Sequence, residues 1–406
     1  MRGKLQQREH QHGDTSRQSS PSREPVSPQG DGGGARSDVL GDLSGAFADL
    51  GTFLPIIIGV FAVQQVDPAG LLFGFGVFAL ATAAVYRRPV PVQPMKAVAA
   101  VAIAGGLGTL GLTASGILLG VLLIALAGFG VVGRLGKLIP STVMNGIQLG
   151  VAFYLAWAGL KLMAREPWLA AAALLILLVL QFTRLKPLAA LTVIGVSALW
   201  GMMHDPQILP PIIVGLSLPT FQLPGTGDLL AASGAVLLPQ LALTLTNATV
   251  ITAAIAADYF PADRARITPD RLAMSTGVLN LLLAPFGAFP MCHGAGGLVV
   301  QHRFGARTGL APAIFGVTCL SLGLLLGEHA LDLLAVLPLA AVGAMLLVAG
   351  FDLANSKRLR TAPLDELAVI VATAVACVVV NVAIGLVAGV LFEWLRRMLK
   401  VRGQAT

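Results

Sequence analysis

"PVPVQPMKAVAAVAIAGG", residues 89–106, sets prolines at 89, 91 and 94 ahead of Lys96 and a run of small apolar residues. Proline has no N–H to donate and restricts the residue before it, so the opening of this stretch is not membrane helix. It reads as extended chain, with a helix beginning near Met95. Residues 286–305, "FGAFPMCHGAGGLVVQHRFG", follow the same plan. An irregular entry through Pro290 leads to a helix start near Met291–Gly294. Backbone of this kind survives at membrane depth only where protein or a wet cavity satisfies it.

The membrane setting follows from composition. The 406 residues are 56% hydrophobic and only 12% charged, with a mean hydropathy of +0.82. A soluble chain carries about 25% charged residues, so too few remain here to coat a soluble helical core. Apolar runs between breakers give fourteen segments: 39–63, 70–86, 91–106, 110–133, 141–163, 167–183, 188–203, 228–257, 271–286, 289–302, 310–327, 330–351, 364–380 and 382–398. Most are long enough to cross a bilayer as helices. The third and tenth are the two short, proline-led ones. Residues 1–37 are rich in Gln, Ser, Pro, Gly and Arg without apolar periodicity, and read as a disordered cytoplasmic tail. No signal-type apolar stretch precedes Val39, so no cleavage is expected. Cys292, Cys319 and Cys377 lie in apolar segments with neither metal-ligand spacing nor a disulfide framework, so no metal or cofactor is expected.

Charge placement tests the segment count. With the N-terminus in the cytoplasm, all but three of the 27 Lys and Arg fall on the cytoplasmic side, including Arg184 and Lys186. Lys161 and Arg165 fall opposite, and Lys96 falls inside. This is the asymmetry of the positive-inside rule. It predicts a multi-pass protein of the inner or plasma membrane with both termini cytoplasmic. The net charge of +7 is then orientation signal and calls for no nucleic acid; the basic tail reads as solvated rather than lipid-bound.

Fourteen segments divide into seven and seven, an odd number per half, so the second half runs through the membrane in the opposite sense. "PM" at 94–95 returns at 290–291, and "LIP" at 138–140 is echoed by "VLP" at 336–338. The expected organisation is a tail (1–37), a first repeat (38–203), a loop (204–227), a second repeat (228–398) and a C-terminal tail (399–406). Inverted repeats with interrupted helices are the mark of secondary transporters, with substrate at the repeat interface.

Two half-helices then aim their N-termini at the protein centre. Each offers free N–H donors and a partial positive charge, which together favour an anion. Lys96 sits in the first turn of one of them, where the dipole disfavours a cation, so it calls for a negative partner. Two kinds are available: a carboxylate, Asp49 or Asp42 of the first segment, or a bound anion. Asp49 has three readings, as the lysine's partner, a proton carrier or a cap at a helix break. In the eighth segment Gln240, Thr244, Thr246 and Asn247 bring hydroxyls and amides into an apolar helix, as oxyanion ligands or as helix–helix glue. His293 heads the tenth segment, either as a donor or titrating group or as a satisfied structural histidine. His302, Glu328 and His329 read as solvated, and Glu393 as near the end of the last helix. "GFGVVG" at 128–133 fits a dinucleotide fingerprint but ends an apolar helix instead of following a strand. The pairs Gly70/Gly74 and Gly146/Gly150 read as close helix packing.

Four stretches carry a resemblance: "GDLSGAFADLGTFLPI" (41–56), "PVQPMKAVAAVAI" (91–103), "LPQLALTLTNATV" (238–250) and "FGAFPMCHGAGGLVVQHRFGARTG" (286–309). Together they resemble the molybdate transporter family, a branch of the sulfate permease superfamily, from Gly41 to the last helix. The resemblance implies an all-α, polytopic, uracil-permease-like fold: about fourteen segments as a 7+7 inverted repeat, a core domain and a gate domain, with segments three and ten crossing at the site. It carries substrate contact onto Gln93, Met95, Lys96, Met291, Cys292, His293 and Gly294, beside Thr246 and Asn247 from the eighth segment. Gln240 stands where the resemblance leads one to expect a more apolar residue. Sulfate permeases usually carry a soluble regulatory domain after the last helix; here about eight residues follow it, which fits the molybdate branch and leaves a homodimer less supported. The expected function is secondary transport of molybdate, with sulfate or general oxyanion transport as the alternative. A nucleobase–proton symporter of this fold would want carboxylates in segments eight and ten, which have none before Asp258. No nucleophile–base pair suggests an enzyme.

Overall fold

The computed structural model describes residues 35–64, 66–183, 189–204, 215–355 and 357–404. Most of the expected tail, Arg184, Lys186 and much of the inter-repeat loop lie outside them, as do the side chains of Glu328 and His329.

The described chain is helical apart from one short ribbon. The first half holds α1 (Ala35–Ala46), α2 (Leu50–Gln64), α3 (Pro68–Tyr86), β1 (Gln93–Pro94), α4 (Lys96–Ile103), α5 (Thr109–Gly128), α6 (Val132–Leu138), α7 (Ser141–Met163), α8 (Pro167–Gln181) and α9 (Ala189–His204). The second half opens with α10 (Thr226–Tyr259). It continues with α11 (Pro269–Leu283), β2 (Met291–Cys292), α12 (Ala295–Arg303), α13 (Leu310–Ala335), α14 (Leu339–Ala354), α15 (Lys357–Thr361), α16 (Leu364–Val379) and α17 (Val382–Gln404). Among the described residues, six helices are long and apolar enough to cross a membrane, and three more are apolar but shorter. Fourteen therefore counts apolar runs in the sequence and not uniform spanning helices.

Breaks fall where local chemistry puts them. Asp67 caps α3 by accepting the N–H groups of Ala69 and Gly70, with Pro68 at the first helical position. The expected fourth segment stops at Gly128, and α6 forms separately from residues assigned to its end. The expected twelfth segment starts at Leu339 instead of 330, because Pro338 provides the extended N-cap and α13 runs on to Ala335. The helices also encroach on both expected tails: α1 begins at Ala35 and α17 continues to Gln404. Large apolar side chains such as Phe153, Trp157, Leu175 and Leu391 stay exposed, as a lipid-facing surface requires.

The inverted repeat is visible in the packing. α3 packs on α13 as α11 packs on α5, and α7 packs on α16 as α14 packs on α8. In each case exchanging the halves converts one pair into the other; α7 against α14 maps onto itself. Glycines sit at the crossings. Gly76 abuts Gly316, Gly120 abuts Gly277, and Gly159 abuts Gly343, each too close to the opposing backbone to admit a Cβ without movement. Without a hydrophobic drive between helices in lipid, this backbone approach supplies the contact. Gly146 and Gly150 likewise press α7 against Thr373 and Cys377 of α16.

Candidate functional site

β1 and β2 pair antiparallel at the centre, Gln93 opposite Cys292 and Pro94 opposite Met291. The two "PM" dipeptides meet there, the Met95 N–H donating to the Pro290 carbonyl at 2.9 Å. α4 and α12 leave this ribbon from neighbouring N-termini.

Side chains from surrounding helices satisfy the ribbon's exposed backbone, as burial demands. Asn280 of α11 holds Met291 from both sides, donating to its carbonyl at 2.7 Å and accepting its N–H at 2.8 Å. The His293 ring places Nδ1 3.0 Å from the Pro91 carbonyl and Nε2 3.1 Å from Ser275 Oγ. Thr252 Oγ1 donates to the His293 carbonyl at 2.8 Å. Gln240 Oε1 accepts the Ala97 N–H of α4 at 3.0 Å. Among the described residues, the N–H groups of Lys96 and Val98 in α4, and of Ala295 and Gly296 in α12, have no protein acceptor.

A cavity of about 650 Å³ opens beside these termini. Gln93, Lys96, Gln240, Thr246, Asn247, Cys292 and Gly296 line its inner part, and Lys137 and Arg397 also line it. Among the described residues, no carboxylate lines it. Lys96 makes no ion pair with Asp49 or any other described carboxylate within 4.0 Å. Arg397 is paired with Glu393 at 2.7 Å. A second cavity, of about 820 Å³, is lined by Asp49, Thr52, Gln181, Arg303 and Asp352 among others. The Gln93 amide donates to the Asp49 carboxylate, so one hydrogen bond joins a lining residue of each cavity.

The expected site residues therefore separate. Gln93, Lys96, Thr246, Asn247 and Cys292 share the cation-lined cavity. Met95 and Met291 are fully buried and anchor the ribbon. His293 is fully buried too, its ring packed edge-on to Phe78 and Tyr86 with both nitrogens engaged, which is the structural reading of that residue. Gly294 lies behind Gln93: a Cβ there would overlap the Gln93 side-chain carbonyl. Asp49 occupies the turn between α1 and α2, its carbonyl accepting the N–H groups of Thr52 and Phe53. Asp42 is not the lysine's partner; it accepts from the N–H groups of Arg307 and Thr308 and from the Thr308 hydroxyl. Thr246 donates to the Ala242 carbonyl at 2.7 Å from a π-helical stretch, Thr244–Ile251, a distortion frequent at functional sites. His302 is half-buried and stacks on Tyr259, not solvated. Glu393 is buried, bound to Thr142, Arg396 and Arg397. Lys137 and Arg397 carry no separate signal in the sequence, where both belong to the cytoplasmic basic residues that set orientation.

A family profile described as "Molybdate transporter of MFS superfamily" matches residues 41–155 and 232–353. The protein named "Molybdate transporter 1" from Arabidopsis thaliana is 31% identical over 418 residues, covering 88% of this chain and 89% of that protein. The chain belongs to the molybdate transporter family. This family member shares its fold with the transmembrane domain of the cyanobacterial bicarbonate transporter BicA, at TM-score 0.64 and 18% identity, over 87% of this chain and 97% of that one. The murine solute carrier 26 family member A9 anion transporter, in its inward-facing state, matches at TM-score 0.66 and 14% identity over 90% of this chain and 69% of that one. The fold is the 7+7 inverted repeat of uracil-permease type, and the protein is an integral, multi-pass membrane protein.

Proposed function

We propose that this protein is a secondary active transporter of molybdate, not an enzyme. The anion is held between α4 and α12 by their unpaired N–H groups, with Lys96 supplying positive charge. One observation carries this reading: Lys96 and two half-helix N-termini border a cavity whose described lining also holds Lys137 and a Glu393-paired Arg397, and no carboxylate. Half-helix termini attract anionic groups through their free donors and dipole. Thr246, Asn247 and Cys292 complete the wall. Asp49, tied to Gln93 and facing the second cavity, is the charge partner through which a coupling ion acts. The wider proposal is a homodimer in the inner or plasma membrane with both termini cytoplasmic, organised as the tail, two repeats and connecting loop read from the sequence.

The test is uptake of labelled molybdate into proteoliposomes, with excess sulfate or uracil as competitors, for wild type and Lys96→Ala. Saturable uptake that resists sulfate and falls at least tenfold in the variant is expected. Equal competition by sulfate would make the protein a general oxyanion carrier. Absence of uptake together with uracil binding would overturn the anion reading.

A further inference from the structure

Gln240 is the residue of α10 that departs from the family resemblance, and the structure gives it a specific position. Its side chain is 2% exposed. Oε1 accepts the Ala97 N–H at 3.0 Å, and Nε2 donates to Thr244 Oγ1 at 3.1 Å. The amide is thus locked at both ends, its carbonyl dipole aimed at the first turn of α4. Of the three first-turn N–H groups of α4, at Lys96, Ala97 and Val98, only that of Ala97 has a protein acceptor.

We infer that Gln240 is a built-in competitor for the transported anion: its side-chain carbonyl occupies the Ala97 donor in the empty carrier, and a bound oxyanion displaces it. This rests on the reading of the cavity as an anion site. A neutral carbonyl satisfies a buried donor that would otherwise be costly to leave bare. An ionised oxygen makes a hydrogen bond roughly twice as strong as a neutral acceptor does. A doubly charged oxyanion, with several oxygens to offer Lys96 and the neighbouring N–H groups, therefore outcompetes the amide. A monovalent ion such as chloride, offering one diffuse charge, does not repay its removal. Gln240 sets the threshold that keeps abundant monoanions out.

Two substitutions move the threshold in opposite directions. Gln240→Ala bares the Ala97 N–H to the cavity. Gln240→Glu replaces the amide by a near-isosteric carboxylate that competes more strongly. Both are measured in proteoliposomes by KM for molybdate and by inhibition of uptake by chloride. The Ala variant is expected to lower KM roughly two- to tenfold, the range set by one ordinary hydrogen bond, and to become sensitive to chloride at concentrations that leave wild type unaffected. The Glu variant is expected to raise KM at least tenfold. A raised KM in the Ala variant would overturn the inference by making Gln240 a direct ligand of the anion. Unchanged values in both would make it a helix cap and nothing more. If the Ala variant does not fold, Gln240→Leu, close to Gln in volume and without an acceptor, takes its place: a lowered KM supports the competitor, and an unchanged or raised one overturns it. Wild-type protein without saturable oxyanion uptake would sink the site reading itself, and this inference with it. Saturable wild-type uptake with unresponsive variants would sink only the role of Gln240.

Discussion

Lys96 stands in the first turn of α4, against the dipole of its own helix, and no described carboxylate neutralises it by contact. Asp49, the expected carboxylate partner, is held by the Gln93 amide. That bond explains why Gly294 is glycine: Gln93, held by Asp49, fills the space a Cβ would need. Gly294→Ala is expected to force Gln93 off Asp49 and to destabilise the protein by about 1–3 kcal/mol, as overpacking does. Thermal unfolding in detergent measures it. Adding Gln93→Ala to Gly294→Ala is expected to recover most of the lost stability, because it removes the colliding atoms; failure to recover would place the strain elsewhere.

At the scale of elements, the ribbon of β1 and β2 is two residues long on each side and cannot stand alone. It persists because α10 and α11 lend it side chains: Asn280 for Met291, Thr252 for His293, Gln240 for Ala97. His293 closes the frame across the ribbon by reaching Pro91 and Ser275. His293→Leu roughly keeps the volume but strands the buried Pro91 carbonyl, while Ser275 Oγ keeps Tyr86 and Leu272. The expected cost is roughly 2 kcal/mol or more in unfolding, with KM for the transported anion unchanged in the protein that folds. A change in KM with intact stability would instead return His293 to the anion site.

At the scale of the molecule, two bundles meet at the cation-lined cavity. One is built on the α3–α13 and α5–α11 pairs, the other on α7, α8, α14 and α16. Alternating access in such folds is a movement of one bundle against the other around a fixed site. Thr246 of α10 and Met144 of α7 touch across the boundary, Oγ1 lying 3.2 Å from Sδ. Oxidative cross-linking of a Met144→Cys, Thr246→Cys double variant is therefore expected to reduce uptake more than tenfold, with recovery on reduction. Undiminished uptake with the cross-link in place would mean that these helices do not move apart during transport.

The half-helices, their proline-led entries and the repeat were legible in the sequence because they rest on local chemistry: proline's missing donor, apolar run length and recurrence of "PM". The family resemblance implied that segments three and ten cross, but the polar residues of segment eight stayed open between oxyanion ligands and helix–helix glue; Thr246 and Asn247 line one cavity with Gln93, Lys96 and Cys292. Which side of each backbone faced the cavity was not legible. Gln93 and its cross-ribbon partner Cys292 line the cavity, whereas Met291 is fully buried and gives both its backbone groups to Asn280. His293 was undecided because its ring finds partners only in the fold, Nδ1 at the Pro91 carbonyl ahead of β1 and Nε2 at Ser275 of α11. Asp42 and Asp49 looked interchangeable as acids of one segment until the turn at Phe47–Asp49 separated their environments. Membrane setting, inverted halves and the two broken segments were readable from the chain alone, since run length, recurrence and proline placement need no fold to be seen. Only the tertiary structure decided that Gln240 caps α4, that Lys137 and Arg397 share the cavity of Lys96, and that His293 belongs to the frame. Those facts depend on contacts between separate elements, such as Gln240 with Ala97 and His293 with Pro91, which no local pattern encodes.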